Sequence, residues 1–207
     1  MTTRSRCLRT SVTSAWVAAA VAAVAVITGG CAASSYQQAS CKLSRHSILL
    51  LEAQAVPSAT FIPCILPLPG GWSYGGSQVR SGLAHFWVNS DQAGARAVEV
   101  RLTRTCDVAG AALLRLRSPP AGLRGYQEPT ARQPRSSVRY FVFAGGCVTE
   151  RFSFTRQTAR ALFGQADQFL GFTPRSVYVQ DIREHEGLTL CGAEAPPCPG
   201  QPAGDRP

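Results

Sequence analysis

The sequence predicts an α+β fold: an antiparallel sheet of about four to six strands with helices on one face, stapled by disulfides. Three observations predict it. Two pairs of alternating apolar and polar segments are each joined by a short turn signal, two stretches of helical period follow the second pair, and six cysteines are spread widely through the same region. Hairpins in succession give antiparallel strands, and helices that come after them must cover the sheet rather than connect parallel strands.

Residues 1–30 read as a signal peptide or an N-terminal membrane anchor. Arg4, Arg6 and Arg9 form a positive start, residues 15–27 are an uninterrupted apolar run of 13, and Gly29, Gly30, Ala32 and Ala33 surround Cys31 with small side chains. The positive end stays in the cytoplasm while the rest crosses. A run of 13 is short against the about 20 residues of a membrane-crossing helix, yet no charge falls between Arg9 and Lys42. Three fates are therefore open: lipid attachment at Cys31, an uncleaved anchor, or release after cleavage. Each places the bulk of the chain outside the cytoplasm.

Residues 31–43 read as a spacer, 44–192 as a single α+β domain, and 193–207 as a disordered Pro/Gly-rich tail. Within the domain, "RHSILLLEAQAV" predicts a helix with Ser44 as cap and Pro57 as stop. Pro63, Pro67, Pro69 and Gly70 then predict an irregular crossing. "AHFWVNS" from Ala84 and "AVEVRLT" from Ala97 predict the first hairpin across "DQAGA". "VRYFVF" from Val138 and "CVTERFSF" from Cys147 predict the second, bending at "AGG". Residues 118–137, rich in Pro, Gly and Arg, read as a long loop between them. "TRQTARALFGQADQFLG" puts Ala159, Leu162, Phe163, Ala166, Phe169 and Leu170 on one helical face ending at Gly171, and a last helix starts with Thr173 as cap and Pro174 in its first turn and closes at Gly187. "LTLC" reads as a short final strand.

The charge is lopsided. The chain carries +9, and removing Arg4, Arg6 and Arg9 leaves about +6 on the exported part. Lys42 is the only lysine, and twelve arginines fall between Arg96 and Arg160 against Glu99, Asp107, Glu128 and Glu150. Guanidinium groups in such number suit an anionic envelope polymer, a lipid headgroup or another envelope protein as partner. Nucleic acid is not expected, because export removes it and no nucleic-acid-binding motif accompanies the charge.

Of eight cysteines, Cys7 lies in the cytoplasmic start and Cys31 is the candidate lipidation site. Cys41, Cys64, Cys106, Cys147, Cys191 and Cys198 remain, with no C-x-x-C among them, and in an exported domain they read as three disulfides. Many pairings are open to six cysteines. Short separation favours Cys191 with Cys198, and antiparallel pairing of "AVEVRLT" with "CVTERFSF" favours Cys106 with Cys147, which leaves Cys41 for Cys64.

Catalytic chemistry has one candidate. "GWSYG" at residues 71–75 matches the G-x-S-x-G nucleophile elbow, and Asp167 or Asp181 with His185 completes the chain order of a serine hydrolase built on Ser73. The flanks argue against it, since "LPLPG" precedes Ser73 where a central strand is needed and "GSQVRSG" follows without helical period. A Gly-rich turn holding Trp72 and Tyr74 at a sheet edge is the plainer expectation. His46, His85 and His185 fall on separate elements without metal-ligand spacing, and no Gly-rich phosphate loop is present, so neither metal nor cofactor is expected.

Two resemblances add to this reading. "ITGGC", ending at Cys31 behind the Arg-rich start and apolar run, resembles the lipobox of bacterial lipoproteins, with Thr28 standing where an aliphatic residue is usual. That resemblance implies a lipid anchor on the outer face of the cell membrane. "AVPSAT..PC...LPGGW" from Ala55, "RLTRTCD" from Arg101 and "RYFVFAGGCVTERF" from Arg139 resemble actinobacterial envelope proteins sharing a Cys-containing core domain. It implies export and disulfides, and supplies no catalytic residue. The expectation is a membrane-tethered, noncatalytic binding or accessory domain of the cell envelope, with a Ser73 esterase as the alternative.

Overall fold

A computed structural model describes residues 36, 37, 39, 40, 47–117, 119–129, 137–155 and 157–199. Cys31, Cys41, His46 and the apolar run at 15–27 lie outside them. In chain order the elements are β1 (Tyr36–Gln37), β2 (Ala39–Ser40), α1 (Ser47–Ala55), β3 (Phe61–Ile65), β4 (Trp72–Arg80), β5 (Leu83–Ser90), β6 (Gly94–Thr103), β7 (Ala112–Leu114), β8 (Leu116–Arg117), β9 (Arg124–Gln127), β10 (Ser137–Phe143), β11 (Gly146–Phe152), α2 (Ala159–Phe169), β12 (Leu170–Pro174) and α3 (Arg175–Glu186).

The two expected hairpins lie side by side. β6 pairs β11 antiparallel, Cys147 standing opposite Thr103, and this pair sits in the middle of a seven-stranded antiparallel sheet of order β4-β5-β6-β11-β10-β9-β7. The count exceeds the expected four to six for identifiable reasons. β4 is a nine-residue edge strand inside the Gly-rich "WSYGGSQVR", whose composition hides it. β9 lies in the segment expected to be loop, holding on to β10 through Tyr126 opposite Tyr140, so backbone pairing overrides the Pro/Gly signal there.

One face of this sheet makes the main core. Phe86, Val88, Val98, Val100, Leu102, Phe141, Val148 and Phe152 point the same way and are buried against Leu162, Ala166 and Phe169 of α2 and against Phe61, Leu170 and Phe172. Each such large side chain contributes about 1.5–3 kcal/mol on burial. The last three residues belong to a second, three-stranded sheet of order β2-β12-β3. β3 alternates: Phe61 faces the main core, while Ile62 and Cys64 join Leu49, Ala53, Tyr178, Val179 and Ile182 of α1 and α3 in a separate cluster.

Several local expectations change. Pro63 lies within β3, which is tolerable because β3 is an edge strand and needs no N–H on its open side. Thr173 is a buried strand residue paired with Ile62 rather than a helix cap, and the residue flanking α3 is Pro174. Gly187 closes α3 in the left-handed conformation, as its position suggested. The "LTLC" segment forms no strand, although Leu190 is buried. Residues 193–199 are held to the domain by the Ala193 N–H donating to the Pro57 carbonyl and by the Cys191–Cys198 bond.

Among the described residues no helix is long and apolar enough to cross a membrane.

Candidate functional site

The face of the large sheet away from α2 is where chemistry-bearing side chains gather. One row crosses all seven strands on this side: Gln78, His85, Arg101, Thr149, Tyr140, Tyr126 and Leu113 stand successively opposite one another. Alternation sends their neighbours two residues away to the same face. It therefore also carries Arg80, Trp87, Glu99, Arg124 and Arg151.

Trp87 organises one end of it. A bulge between Tyr74 and Gly76 shifts the β4–β5 register and brings Gly75 and Gly76 under the indole. A Cβ on Gly75 would sit 2.4 Å from the Trp87 Cδ1, and one on Gly76 2.7 Å from Cζ2, so only glycine fits beneath this ring. Arg96 places its guanidinium 4.5 Å from the ring centroid. Its backbone adopts φ +52, a conformation L side chains resist, and the Arg96 N–H donates to Asn89 Oδ1 at 2.9 Å. The cost of about 1–2 kcal/mol is comparable with what an exposed cation–π contact and a hydrogen bond return.

Glu99 is the hub of the charges. Arg101 approaches it at 3.4 Å, Arg96 at 3.5 Å and His85 Nε2 at 3.6 Å, while Arg151 is its cross-strand neighbour. One carboxylate is shared among three nitrogen bases. Burial lowers the His85 pKa, with the Arg101 charge second, against the smaller opposing pull of Glu99. The imidazole is accordingly neutral at neutral pH. Arg80, Arg96, Arg101, Arg124 and Arg151 are all exposed. Glu128 is engaged by the Tyr140 hydroxyl, which donates to its carboxylate, and burial together with that bond pushes the Tyr140 phenol up to about 12. Cationic groups thus outnumber carboxylates on this face.

The disulfides frame the same surface. Cys106 is bonded to Cys147 with Cα atoms 5.7 Å apart, strapping the loop that follows β6 over the first residues of β11 in the middle of the sheet, not at its edge. Cys191 is bonded to Cys198 at 4.7 Å. Cys64 is disulfide-bonded too, and Cys41, the partner expected from the sequence, lies outside the described residues.

The Ser73 candidate looks different in three dimensions. Ser73 is exposed in β4, opposite Asn89, and the strand runs on into a hairpin, so the sharp strand-to-helix turn of a nucleophile elbow is not formed. His85 is four residues further along the partner strand, about 13 Å away by strand rise. Asp167 is committed to Arg139, and Asp181 pairs with His185 at 3.2 Å on the exposed end of α3. Trp72 is buried rather than held at the surface, donating from Nε1 to Gln165 Oε1 at 2.7 Å and packing edge-on against Phe154 and Phe169. Among the described residues no three His, Cys, Asp or Glu side chains are grouped to hold a metal ion.

The arginine excess is plain in the sequence, but its gathering on one face of the sheet is not. The signal was available in the alternation of Glu99 and Arg101 with Val98, Val100 and Leu102, and in the double glycine that accommodates Trp87. No known protein family, curated protein or solved structure matches this chain.

Proposed function

We propose that the chain is an exported, membrane-tethered, noncatalytic binding or accessory domain of the bacterial cell envelope, and that the open face of its seven-stranded sheet is the contact surface. The observation that carries this reading is the spread of five exposed guanidinium groups, at Arg80, Arg96, Arg101, Arg124 and Arg151, over a face whose carboxylates are Glu99, shared by Arg96 and Arg101, Glu128, engaged by Tyr140, and Asp107 on the loop over β11. Guanidinium groups form paired hydrogen bonds to phosphate and carboxylate, so an anionic partner matches them. The lipobox-like ending at Cys31 and the six widely spaced cysteines support the export and tether.

Cell fractionation tests the tether. The mature protein should partition with membranes, and Cys31→Ala should release it or block its maturation. A diacylated cysteine supplies the two chains that stable anchoring requires. Membrane association unaffected by Cys31→Ala, with Arg4 to Arg9 still on the mature chain, would show instead that the apolar run at 15–27 is retained as the anchor.

A further inference from the structure

We propose that the arginine-bearing face of the large sheet, with the Cys106 loop strapped across its middle, docks against the anionic phospholipid headgroups of the bilayer that holds the N-terminus. This rests on the tethered reading above and names its partner. Two observations argue for a bilayer rather than a soluble polyanion. The first is reach. Only four residues lie between Cys31 and Tyr36 in β1, and only eight between Ile27, the end of the apolar run, and Tyr36, so either anchor leaves a tether of no more than about 30 Å when fully extended. A domain tethered so closely meets the membrane surface at high effective concentration before it meets anything else.

The second is the layout of the charges. Arg80 lies on β4, Arg96 and Arg101 on β6, Arg151 on β11 and Arg124 on β9, so the guanidinium groups are distributed across the sheet rather than along one strand. Arg101 and Arg151 are diagonal neighbours across the β6–β11 pair, about 7–8 Å apart at their Cα atoms. A linear polymer asks for a row or a groove of cations, whereas a two-dimensional array matches a plane of phosphates. Trp87, half-buried beside Arg96, and Tyr126, on the same face, are aromatic side chains of the kind that settle at headgroup level. Nothing in this arrangement requires the lipid to enter a cavity, and none is proposed.

The full-length chain, reconstituted in vesicles of phosphatidylcholine alone or with added phosphatidylglycerol, tests the idea through the rate at which phenylglyoxal modifies Arg101 and Arg151, read by peptide mass spectrometry. Docking predicts modification at least tenfold slower on the phosphatidylglycerol vesicles, with the difference lost in high salt. For the separate binding of detergent-free protein to such vesicles, Arg101→Ser/Arg124→Ser/Arg151→Ser should weaken affinity about 100-fold, on the scale of roughly fivefold per arginine. The Arg→Lys triple should retain most of it, which separates lost charge from lost folding.

Equal modification rates on the two vesicles would overturn the proposal. So would equal protection on phosphatidylcholine vesicles by soluble polyphosphate, which would assign the face to a polymer. Protein that fails to float with phosphatidylcholine vesicles speaks against the tether instead. In that case docking stands only if the chain still sediments with phosphatidylglycerol vesicles, and falls if it does not.

Discussion

Arg139 of β10 stands directly across from Glu150 of β11, and both point into the main core beneath α2. The Arg139 guanidinium bonds Asp167 of α2 and lies 5.0 and 5.1 Å from the Phe152 and Phe163 ring centroids. Glu150 is fully enclosed, and its Oε2 makes no hydrogen bond. Burial pushes its pKa from the usual 4.5 to about 8, with Arg139 pulling it down and Asp167 adding to the rise.

A pH dependence follows. Between about pH 4.5 and 8 the folded chain holds a proton on Glu150 that the unfolded chain has released. Folding then binds protons, so stability is fully present below the unfolded pKa and declines as pH rises through the folded one. Buried Glu52, also pushed to about 8 by burial, acts in the same direction. The melting temperature should therefore drop by several degrees from pH 5 to pH 8.5. Glu150→Gln, which keeps the shape and removes the titration, should flatten that slope, and an unchanged slope would show that Glu150 does not titrate in this range.

The two disulfides should differ in worth. Cys106–Cys147 closes a separation of 41 residues and Cys191–Cys198 one of 7. In the chain-entropy account these correspond to about 4 and about 2.4 kcal/mol. Replacing Cys106 and Cys147 together by Ser should lower the melting temperature clearly further than replacing Cys191 and Cys198. Double mutants melting within a degree of each other would contradict it.

Arg175 should matter on the same scale. It is completely buried, donating to the Ala53 carbonyl at 2.7 Å and to the Cys191 carbonyl at 2.6 Å. It thereby satisfies a carbonyl in the last turn of α1 and fastens the C-terminal segment to it, a favourable place for a cation. Burial lowers its pKa to about 10, which leaves it charged at neutral pH. Arg175→Met keeps the length but leaves both carbonyls without their donor, and should cost about 2–5 kcal/mol in denaturant unfolding. A loss under 1 kcal/mol would mean that water or neighbouring groups replace it.

These buried charges mark the limit of what could be read from the sequence. Both hairpins, their pairing through β6 and β11, and all three helices were legible because their periodicities are clean and their turns carry recognisable residues. In "VRYFVF", however, either alternate set could face inward. The chain turns Arg139, Phe141 and Phe143 toward α2, while of the other set Tyr140 and Val142 are half-exposed and Val138 is buried on the opposite face, a choice made by packing and not by local polarity. The hairpin itself held a clue, since Arg139 and Glu150 are equidistant from the Ala144–Gly145 turn and so had to face each other. β12 was hidden for another reason: "LGFTP" continues the apolar character of α2, and only pairing with β3 and β2 makes it a strand. On the open face, residue types were visible, but the seven-strand register that gathers them was not.

The last prediction separates the two roles open to "GWSYG". If Gly75 serves an elbow around Ser73, a fluorophosphonate probe should label Ser73 and Ser73→Ala should abolish labelling. The structure assigns Gly75 a different purpose, since a Cβ there would lie 2.4 Å from Cδ1 and 2.6 Å from Nε1 of Trp87, and 2.8 Å from Oδ1 of Asn89. No labelling is expected, and Ser73→Ala, at an exposed strand position, should change stability by less than about 0.5 kcal/mol. Gly75→Ala should cost about 1–3 kcal/mol by overpacking. Most of that cost should vanish when Trp87 is already Ala, because the clash is with the indole, giving a coupling of at least about 1 kcal/mol in the double-mutant cycle. Additive effects would mean that Gly75 is required for its backbone and not for the ring above it. Specific labelling at Ser73 would return the serine hydrolase to consideration whatever the cycle shows.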